Sequence, residues 1–497
     1  MSGFSGYDSE AVGFDSVSAN KRSEVAGSTQ TNFCDAGIGC QTNSSIDIGC
    51  TVSSEDFTDA LAEYPPPGLN EFLRKAVPAM IDQLDQNERD DNEMKLNYLY
   101  DSSDSDEEVL LNAKLFQELK IQDGIGSGDH QSSILGLTWS SAGNSLAVSI
   151  GQLQHDTWCQ NSGLIKVFTL KRAGGEKFVH SLDITEKNCV TVLKYHPSVA
   201  ALLAYGTTSG EVVLCNLMNG NLEEGTQLAS PSGCHGSRRV SSLQWADAPL
   251  ANVFLIMQIH NKGKRRGAAD QVLFSSGNDG TLNVWQVNAN QKVFENIICY
   301  QINASRKITP DITCFDFIKS YPLRPSTDKT PDDIFVVGSK CGKLYLCKIH
   351  AESNDPVYDV LEGHNTCVLD VAFSDQKPNI FVSVSMDSEL RVFDVMQNSP
   401  IKVLCLDFPI SCMCWLPTVP CVVLGRAHEG ELKVYNVSAG REVPMEGFGG
   451  AAAASVTCVA ISQIGSCRVA AGDAEGRVRL WELPTRCIKI TAGDMDF

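Results

Sequence analysis

From Ile134 onward one short pattern recurs seven times: a β-branched residue at position i, an apolar residue at i+3 and an aromatic at i+5. The copies are Ile134-Leu137-Trp139, Val190-Leu193-Tyr195, Val240-Leu243-Trp245, Ile312-Phe315-Phe317, Val368-Val371-Phe373, Ile410-Met413-Trp415 and Val456-Val459-Ile461, and only the last lacks its aromatic. Each is followed by a turn residue and an alternating strand: Gly163 to Phe168, Gly210 to Cys215, Gly280 to Trp285, Gly342 to Cys347, Ser388 to Phe393, Gly430 to Tyr435 and Gly476 to Trp481. In copies two, five, six and seven the two markers are 20 residues apart, room for two short strands and two tight turns. Copies one, three and four are the same unit with insertions.

Short strands separated by Gly, Asp and Ser turns and repeating about every 40 to 45 residues mark four-stranded propeller blades. The chain is therefore expected to be all-β, a seven-bladed propeller preceded by a disordered N-terminal arm and a short amphipathic helix. The pattern resembles the WD-repeat family, in which an Asp between the second and third strands bonds a His before the first strand, and a Trp closes the third. Copy five matches best, with Gly363-His364, Asp387 and Phe393 in place of the Trp; copy three keeps Asp279 and Trp285, and copy seven Trp481. His364 reads as a buried, hydrogen-bonded strut and not as a ligand or base. Successive hairpins point to opposite faces, so the insertions after the first strands of copies three (Ala246 to Asp270) and four (Ile318 to Asp333) share one face. The insertion Gly151 to Asn161 in copy one belongs to the other. Lys262, Lys264, Arg265 and Arg266 read as a solvated loop tip. The outer strand that closes the last blade comes either from Arg486 to Ala492 or from the region before Ile134.

A net charge of −20 argues against nucleic acid or anionic membrane as direct partners. Asp82 to Glu108 holds eleven acidic side chains against Arg89 and Lys95, as a solvated linker does. The first residues carry no basic and apolar leader, and no run reaches the roughly 18 apolar residues of a membrane span, so a soluble intracellular protein is expected. The 19 cysteines are odd in number and include no Cys-x-x-Cys pair. Cys314, Cys347, Cys414 and Cys458 sit in apolar strand patterns, and Cys412 and Cys414 alternate in one strand. Reduced, packed thiols and no metal site are the expectation.

Residues 1 to 60, rich in Ser, Gly, Thr and Asn, hold too few large apolar side chains to offset the entropy of ordering. Within them lie two extended Gln-Thr peptides, Thr29-Gln30-Thr31 and Cys40-Gln41-Thr42. Such peptides suit β-strand addition, where main-chain bonds give affinity and alternate side chains fill pockets. Gln30 and Gln41 are 11 positions apart, roughly 36 Å when extended, so two small partners could stack along a pair of arms. After Tyr64-Pro65-Pro66-Pro67-Gly68, the residues Leu69, Phe72, Leu73, Ala76, Met80, Ile81 and Leu84 fall on one face of a helix. The stripe suits a partner-docking helix or one packed back on the propeller rim. Pro78 is expected to kink or split it. The organisation read from sequence is thus an arm (1–63), a spacer and docking helix (64–87), an acidic linker (88–125) and the propeller (126–493).

Gln-Thr peptides, an amphipathic segment and a C-terminal propeller together resemble the dynein intermediate chain family, and in detail its cytoplasmic dynein-2 branch. The tracts that carry the resemblance are Cys40-Gln41-Thr42, Phe72 through Asn87, Ile150 to Trp158, His196-Pro197-Ser198, Ser209-Gly210-Glu211-Val212 and Ala470-Ala471-Gly472-Asp473-Ala474. The resemblance implies that the Gln-Thr tracts take the eight-kilodalton light chain, the Phe72 to Leu84 segment a Roadblock-type light chain, and the propeller the dynein-2 heavy chain. It also implies a second, different intermediate chain as partner, retrograde intraflagellar transport, and a place in the cytoplasm, cytoskeleton and cilium, at the axoneme and ciliary base. Pro78 and the blade-three insertion depart from the family, and the charged N-terminal coiled coil of dynein-1 chains is missing. No cofactor and no catalytic residue are expected: there is no phosphate-cradling Gly loop and no Gly-x-Ser-x-Gly, and His155-Asp156 has no nucleophile beside it. Competing readings are another WD-repeat adaptor, such as a ubiquitin-ligase receptor or histone-binding scaffold, and an axonemal intermediate chain. Ser102, Ser103 and Ser105 beside Glu107 and Glu108 suit phosphorylation in any of them.

Overall fold

The computed structural model describes residues 72–74, 76–78, 111–121, 132–153, 162–172, 175–217, 227–246, 270–303, 309–319, 334–349, 354–417, 419–449, 454–462 and 467–484. Met1–Gln86 and Asn87–Phe497 are separate compact units. In the second unit the described strands form seven four-stranded antiparallel sheets, beside one two-stranded contact. Six blades are contiguous in sequence; blade two, for example, runs Val190–Tyr195, Leu202–Thr207, Val212–Asn216 and Gln227–Ala229. Six of the seven first strands begin at the i residue of the repeat, that of blade one begins one residue earlier at Ser133, and the first strands of neighbouring blades adjoin to form the inner ring.

Burial follows position within the blade. Second strands such as Leu202–Thr207 and Ile334–Ser339 are buried along their whole length, between a blade on each side, and so read as continuous apolar runs. Outer strands alternate, as Val357–Leu361 does with Tyr358 and Val360 exposed. Among the described residues there are seven core clusters, one per blade interface.

The geometry explains the repeat. The β-branched i residue packs against the second strand of the preceding blade at a point where four blades have glycine. A Cβ on Gly206, Gly338, Gly425 or Gly472 would lie 2.4 to 2.9 Å from Val240, Val368, Val456 or Ile134. Three of these glycines also face a thiol of their own blade, Cys314, Cys412 and Cys458, which fills the space beside them. Burial pushes those thiols well up from the usual range, so they pack as small apolar groups. Where position i+5 is Trp, its indole N–H donates to the inner-strand carbonyl of the preceding blade: Trp139 to Ala460 (3.2 Å), Trp245 to Lys194 (3.2 Å) and Trp415 to Ala372 (3.0 Å). Thr191 and Thr457 at i+1 donate forward, to the carbonyls of Val240 and Ile134, both at 2.6 Å.

The seam corrects the boundary read from sequence. Lys114–Lys120, assigned there to the linker, is the outer strand of blade seven, pairing antiparallel with Arg477–Glu482 so that Leu119 meets Val478 and Leu115 meets Trp481. Just before it, Leu111 and Asn112 pair in parallel with Met445 and Glu446. Of the two origins open for the closing strand, the region before Ile134 supplies it, and the propeller begins at 111, not 126. The physical reason for the miss is that an outer strand has one wet edge and face. Lys-Leu-Phe-Gln-Glu-Leu-Lys, half charged and adjoining an acidic run, looks like linker until a blade edge is found for it.

The insertions lie where the hairpin rule put them. Those of blades three and four follow the first strands, between Trp245 and Gln271 and between Phe317 and Ile334; that of blade one separates its second and third strands. Their interiors, with Lys262 to Arg266 and His155-Asp156, are outside the described residues, as are 1–63, Asp82 to Glu108 and Arg486 to Ala492.

Candidate functional site

Buried polar networks lie beneath two of the turns between second and third strands and hold them in place. In blade three, His235 precedes the first strand and has no exposure. Its Nε2 faces Ser275 Oγ at 2.8 Å, its Nδ1 lies 3.1 Å from Thr281 Oγ1 and 3.4 Å from Asp279 Oδ1, and the Trp285 indole donates to the same Ser275 at 2.8 Å. Burial alone would raise the Asp279 carboxyl; the His235 and Thr281 bonds outweigh it and hold the group below its usual value. Sequence reading singled out Asp279 and Trp285 but missed His235. The 25-residue insertion Ala246 to Asp270 moves it 44 positions from its Asp, against 23 in blade five. The signal was Cys234-His235-Gly236, five residues before Val240.

Blade five is a variant of this network. His364 Nε2 faces Ser383 Oγ at 2.7 Å, but Nδ1 stands 3.6 Å from Asp387 and 3.9 Å from Glu389, beyond hydrogen-bond reach. Asp387 is instead held by the backbone N–H groups of Asn365 and Glu389 and by the Ser385 hydroxyl. Phe393 replaces the Trp and stacks on Phe381 with centroids 5.1 Å apart. His364, Asp387 and Glu389 come within 4.8 Å of one another, as metal ligands would. Arg391, however, already takes Glu389 Oε2 at 2.7 Å, and Asp387 is spent on backbone N–H groups and Ser385, as in a structural strut.

Burial, then the neighbouring Arg391 charge, pushes His364 down to about 4, against weaker opposition from Asp387 and Glu389. The folded site thus refuses a proton that the unfolded chain accepts below its ordinary 6.5. Stability is complete above that value and falls as pH drops from 6.5 toward 4, by up to about 3 kcal/mol. Thermal unfolding of the native chain is therefore expected to lose more between pH 7.5 and pH 5 than that of His364→Gln. Equal losses would show that this histidine does not set the acid limit.

Blade seven departs further. Trp481 donates to Gly447 O at 3.1 Å and meets Phe448 edge-on, while Asp473, almost fully buried, pairs with Arg477 at 2.9 Å. In the other unit, Phe72, Leu73, Arg74, Ala76, Val77 and Pro78 are helical. Phe72 (65%), Leu73 (41%) and Val77 (38%) are exposed, which leaves an apolar face open. Pro78 is itself helical, and the residues after it, over which a kink or split is expected, lie outside the described residues. Thr29, Gln30, Thr31, Cys40, Gln41, Thr42, Leu69, Met80, Ile81 and Leu84 lie outside the described residues.

Comparison with known proteins completes this picture. The family model for the WD domain, G-beta repeat, matches residues 355–394 and 444–482, the first spanning the outer strand of blade four and three strands of blade five, the second Met445–Glu446 and the inner three strands of blade seven. Over 388 residues the chain is 22% identical to the mouse cytoplasmic dynein 2 intermediate chain 2, covering 72% of this chain and 66% of that one. The human protein of the same name is 21% identical, over 85% of this chain and 77% of its own length. A ciliary dynein intermediate chain 2 from the sea urchin Heliocidaris crassispina is 23% identical, over 59% and 38%. The chain thus carries WD repeats and is similar to dynein intermediate chains of the dynein-2 and ciliary kinds. It spans just under two thirds of the mouse relative's length and well under half of the urchin one's.

Three of the tracts that carried the family resemblance prove to be joints between parts of the ring. His196, in His196-Pro197-Ser198, accepts the backbone N–H groups of Ser198 and Val199 on Nδ1, reaches Gln271 of blade three with Nε2 at 2.8 Å, and packs edge-on against Trp245. Burial holds its imidazole below its ordinary value. Ser209-Gly210 forms the blade-two turn, with Gly210 at φ +85° and a Cβ there only 2.6 Å from Arg238 O. Gly472 receives Ile134 at the seam. In this chain all three tracts interlock neighbouring blades.

Proposed function

We propose that the protein is a non-catalytic intermediate chain of a dynein-2 motor. The propeller binds the heavy chain, and the arm carries eight-kilodalton light chains on Thr29-Gln30-Thr31 and Cys40-Gln41-Thr42 and a Roadblock-type light chain on the helix around Phe72 and Leu73. It works beside a second, different intermediate chain in retrograde intraflagellar transport, in the cytoplasm and the cilium. The observation that carries the reading is the extent of similarity: the dynein-2 relatives align over 66% and 77% of their own lengths, the urchin ciliary one over 38%. An axonemal role is disfavoured for that reason. The exposed apolar helix face supports a docking role for the segment.

The test is a pull-down from ciliated-cell lysate with the whole chain and with a Gln30→Ala, Thr31→Ala, Gln41→Ala, Thr42→Ala variant, read by mass spectrometry. The intact chain should recover a dynein-2 heavy chain, and the variant should lose the eight-kilodalton light chain by more than about tenfold, since two weak sites act through avidity. Recovery of ligase subunits or histones without any dynein subunit would sink the reading.

A further inference from the structure

The face that carries the His235 and His364 networks sorts its charges. Its elements are the loops entering the first strands and the turns between second and third strands, which antiparallel order brings to one side. On the arc of blades two to four, Lys187, Arg238, Arg239, Lys340 and Lys343 are all exposed. On the arc of blades five to seven the exposed charges are chiefly acidic, Asp407, Glu429 and Glu475, and two of the cations are closely neutralised, Arg426 by Glu429 and Glu431 at 2.6 and 2.8 Å and Arg477 by Asp473 at 2.9 Å, while Lys120 meets Glu118 at 3.9 Å.

The basic arc has no such neutralisation. Among the described residues, Lys187, Arg239, Lys340 and Lys343 form no ion pair, and Arg238 reaches Asp311 only at 3.9 Å. The acids nearby are occupied or half-buried: Glu186 accepts from Tyr205 at 2.5 Å, Asp279 is bound by Thr281 and His235, and Glu211 and Asp311 are only partly exposed. The arc is also built rigidly. Asn278 N–H donates to Arg239 O at 3.1 Å, Lys340 N–H to Asp311 O at 2.9 Å, and Lys343 N–H to Ser339 Oγ at 3.1 Å. Arg239 stands immediately before Val240, where the inner ring opens. Its side chain reaches water, yet the surrounding blades desolvate it enough to lower its ordinary value.

From this arrangement we infer that the arc is a docking surface for an acidic peptide segment of a partner protein, with Arg239 gripping a carboxylate at the mouth of the ring and Lys340, Lys343 and Lys187 setting its course. In a chain of net charge −20, acidic partners are repelled elsewhere, so an unneutralised arc both attracts and orients them. A guanidinium held without a partner in a partly desolvated niche matches a carboxylate in two-pronged geometry. The interleaved Glu211 and Asp311, with the strongly negative remainder, disfavour a continuous polyphosphate. The inference goes beyond the motor assignment and does not depend on it.

Direct binding by the purified full chain tests it, with a fluorescein-labelled peptide of alternating Glu and Gly read by anisotropy, and a Gln and Gly peptide as the neutral reference. The acidic stretch 82–108 is present in every sample, so variants are compared with each other. Arg239→Glu with Lys340→Glu should weaken binding at least about tenfold. Lys171→Glu with Lys177→Glu, the same charge change on exposed residues of the opposite face, should change it less than about twofold, and native binding should weaken with added salt. Should the Glu variant unfold at a lower temperature than the native chain, Arg239→Gln with Lys340→Gln replaces it, with the same direction expected. The inference is overturned if both pairs of reversals weaken binding equally, if the neutral peptide binds as well, or if a short single-stranded oligonucleotide binds the arc more tightly than the acidic peptide.

Discussion

A chain beginning at residue 105 is expected to fold into the complete ring and to melt within a few degrees of the whole protein, whereas one beginning at 122 is expected to aggregate or lose most of its stability. The difference is one strand. Without Lys114–Lys120 the edge of Arg477–Glu482 is left unpaired, Leu119 leaves the cluster it shares with Ile134, Trp139, Val478 and Leu480, and an open apolar edge invites strand addition by other chains. A ring with one unfastened blade has no neighbouring repeat to take up the loss, and about 5 kcal/mol or more is enough to unfold a marginally stable domain. Circular dichroism, light scattering and thermal unfolding of the two truncations decide it. A monomeric, normally melting 122–497 chain would show that the seam strand is dispensable.

Gly472→Val is the second change with a large expected effect, about 3 kcal/mol of destabilisation. A Cβ at 472 would sit 2.4 Å from Ile134 Cγ2 and 2.9 Å from Cys458 Sγ. Both neighbours are held inside the ring, so neither can yield cheaply, and valine's preference for strands does not compensate. Removing the opposing bulk with Ile134→Ala should recover part of the loss, giving a coupling of about 1 kcal/mol or more in a double-mutant cycle. Gly449, about which nothing lies within 4 Å, serves as control and should accept valine with little change. If both valine variants melt alike, packing across the seam is not what requires glycine at 472.

These joints show which parts of the molecule were legible early. The seven inner and seven third strands could be placed from sequence because each carries a local, repeated signature: a β-branched start with an aromatic five residues on, then a turn followed by alternation. The insertions could be assigned to faces because hairpins alternate whatever the loops contain. His235 escaped because its partnership with Asp279 spans an insertion. Lys114–Lys120 escaped because its partner, Arg477–Glu482, is more than 350 residues away in sequence. The basic arc was equally invisible, since Lys187, Arg239 and Lys340 come from three blades and only the ring brings them to one side.

The sequence alone therefore determined the number of blades, the strands within them and the likeness to dynein intermediate chains, because each of these rests on contacts between residues close in the chain or on repetition. Tertiary structure alone decided how the ring closes, why four blades have glycine opposite a β-branched start, that His235 is a second strut, and where unneutralised charge gathers. Those depend on distances between residues from different blades, and no periodicity along one chain encodes them.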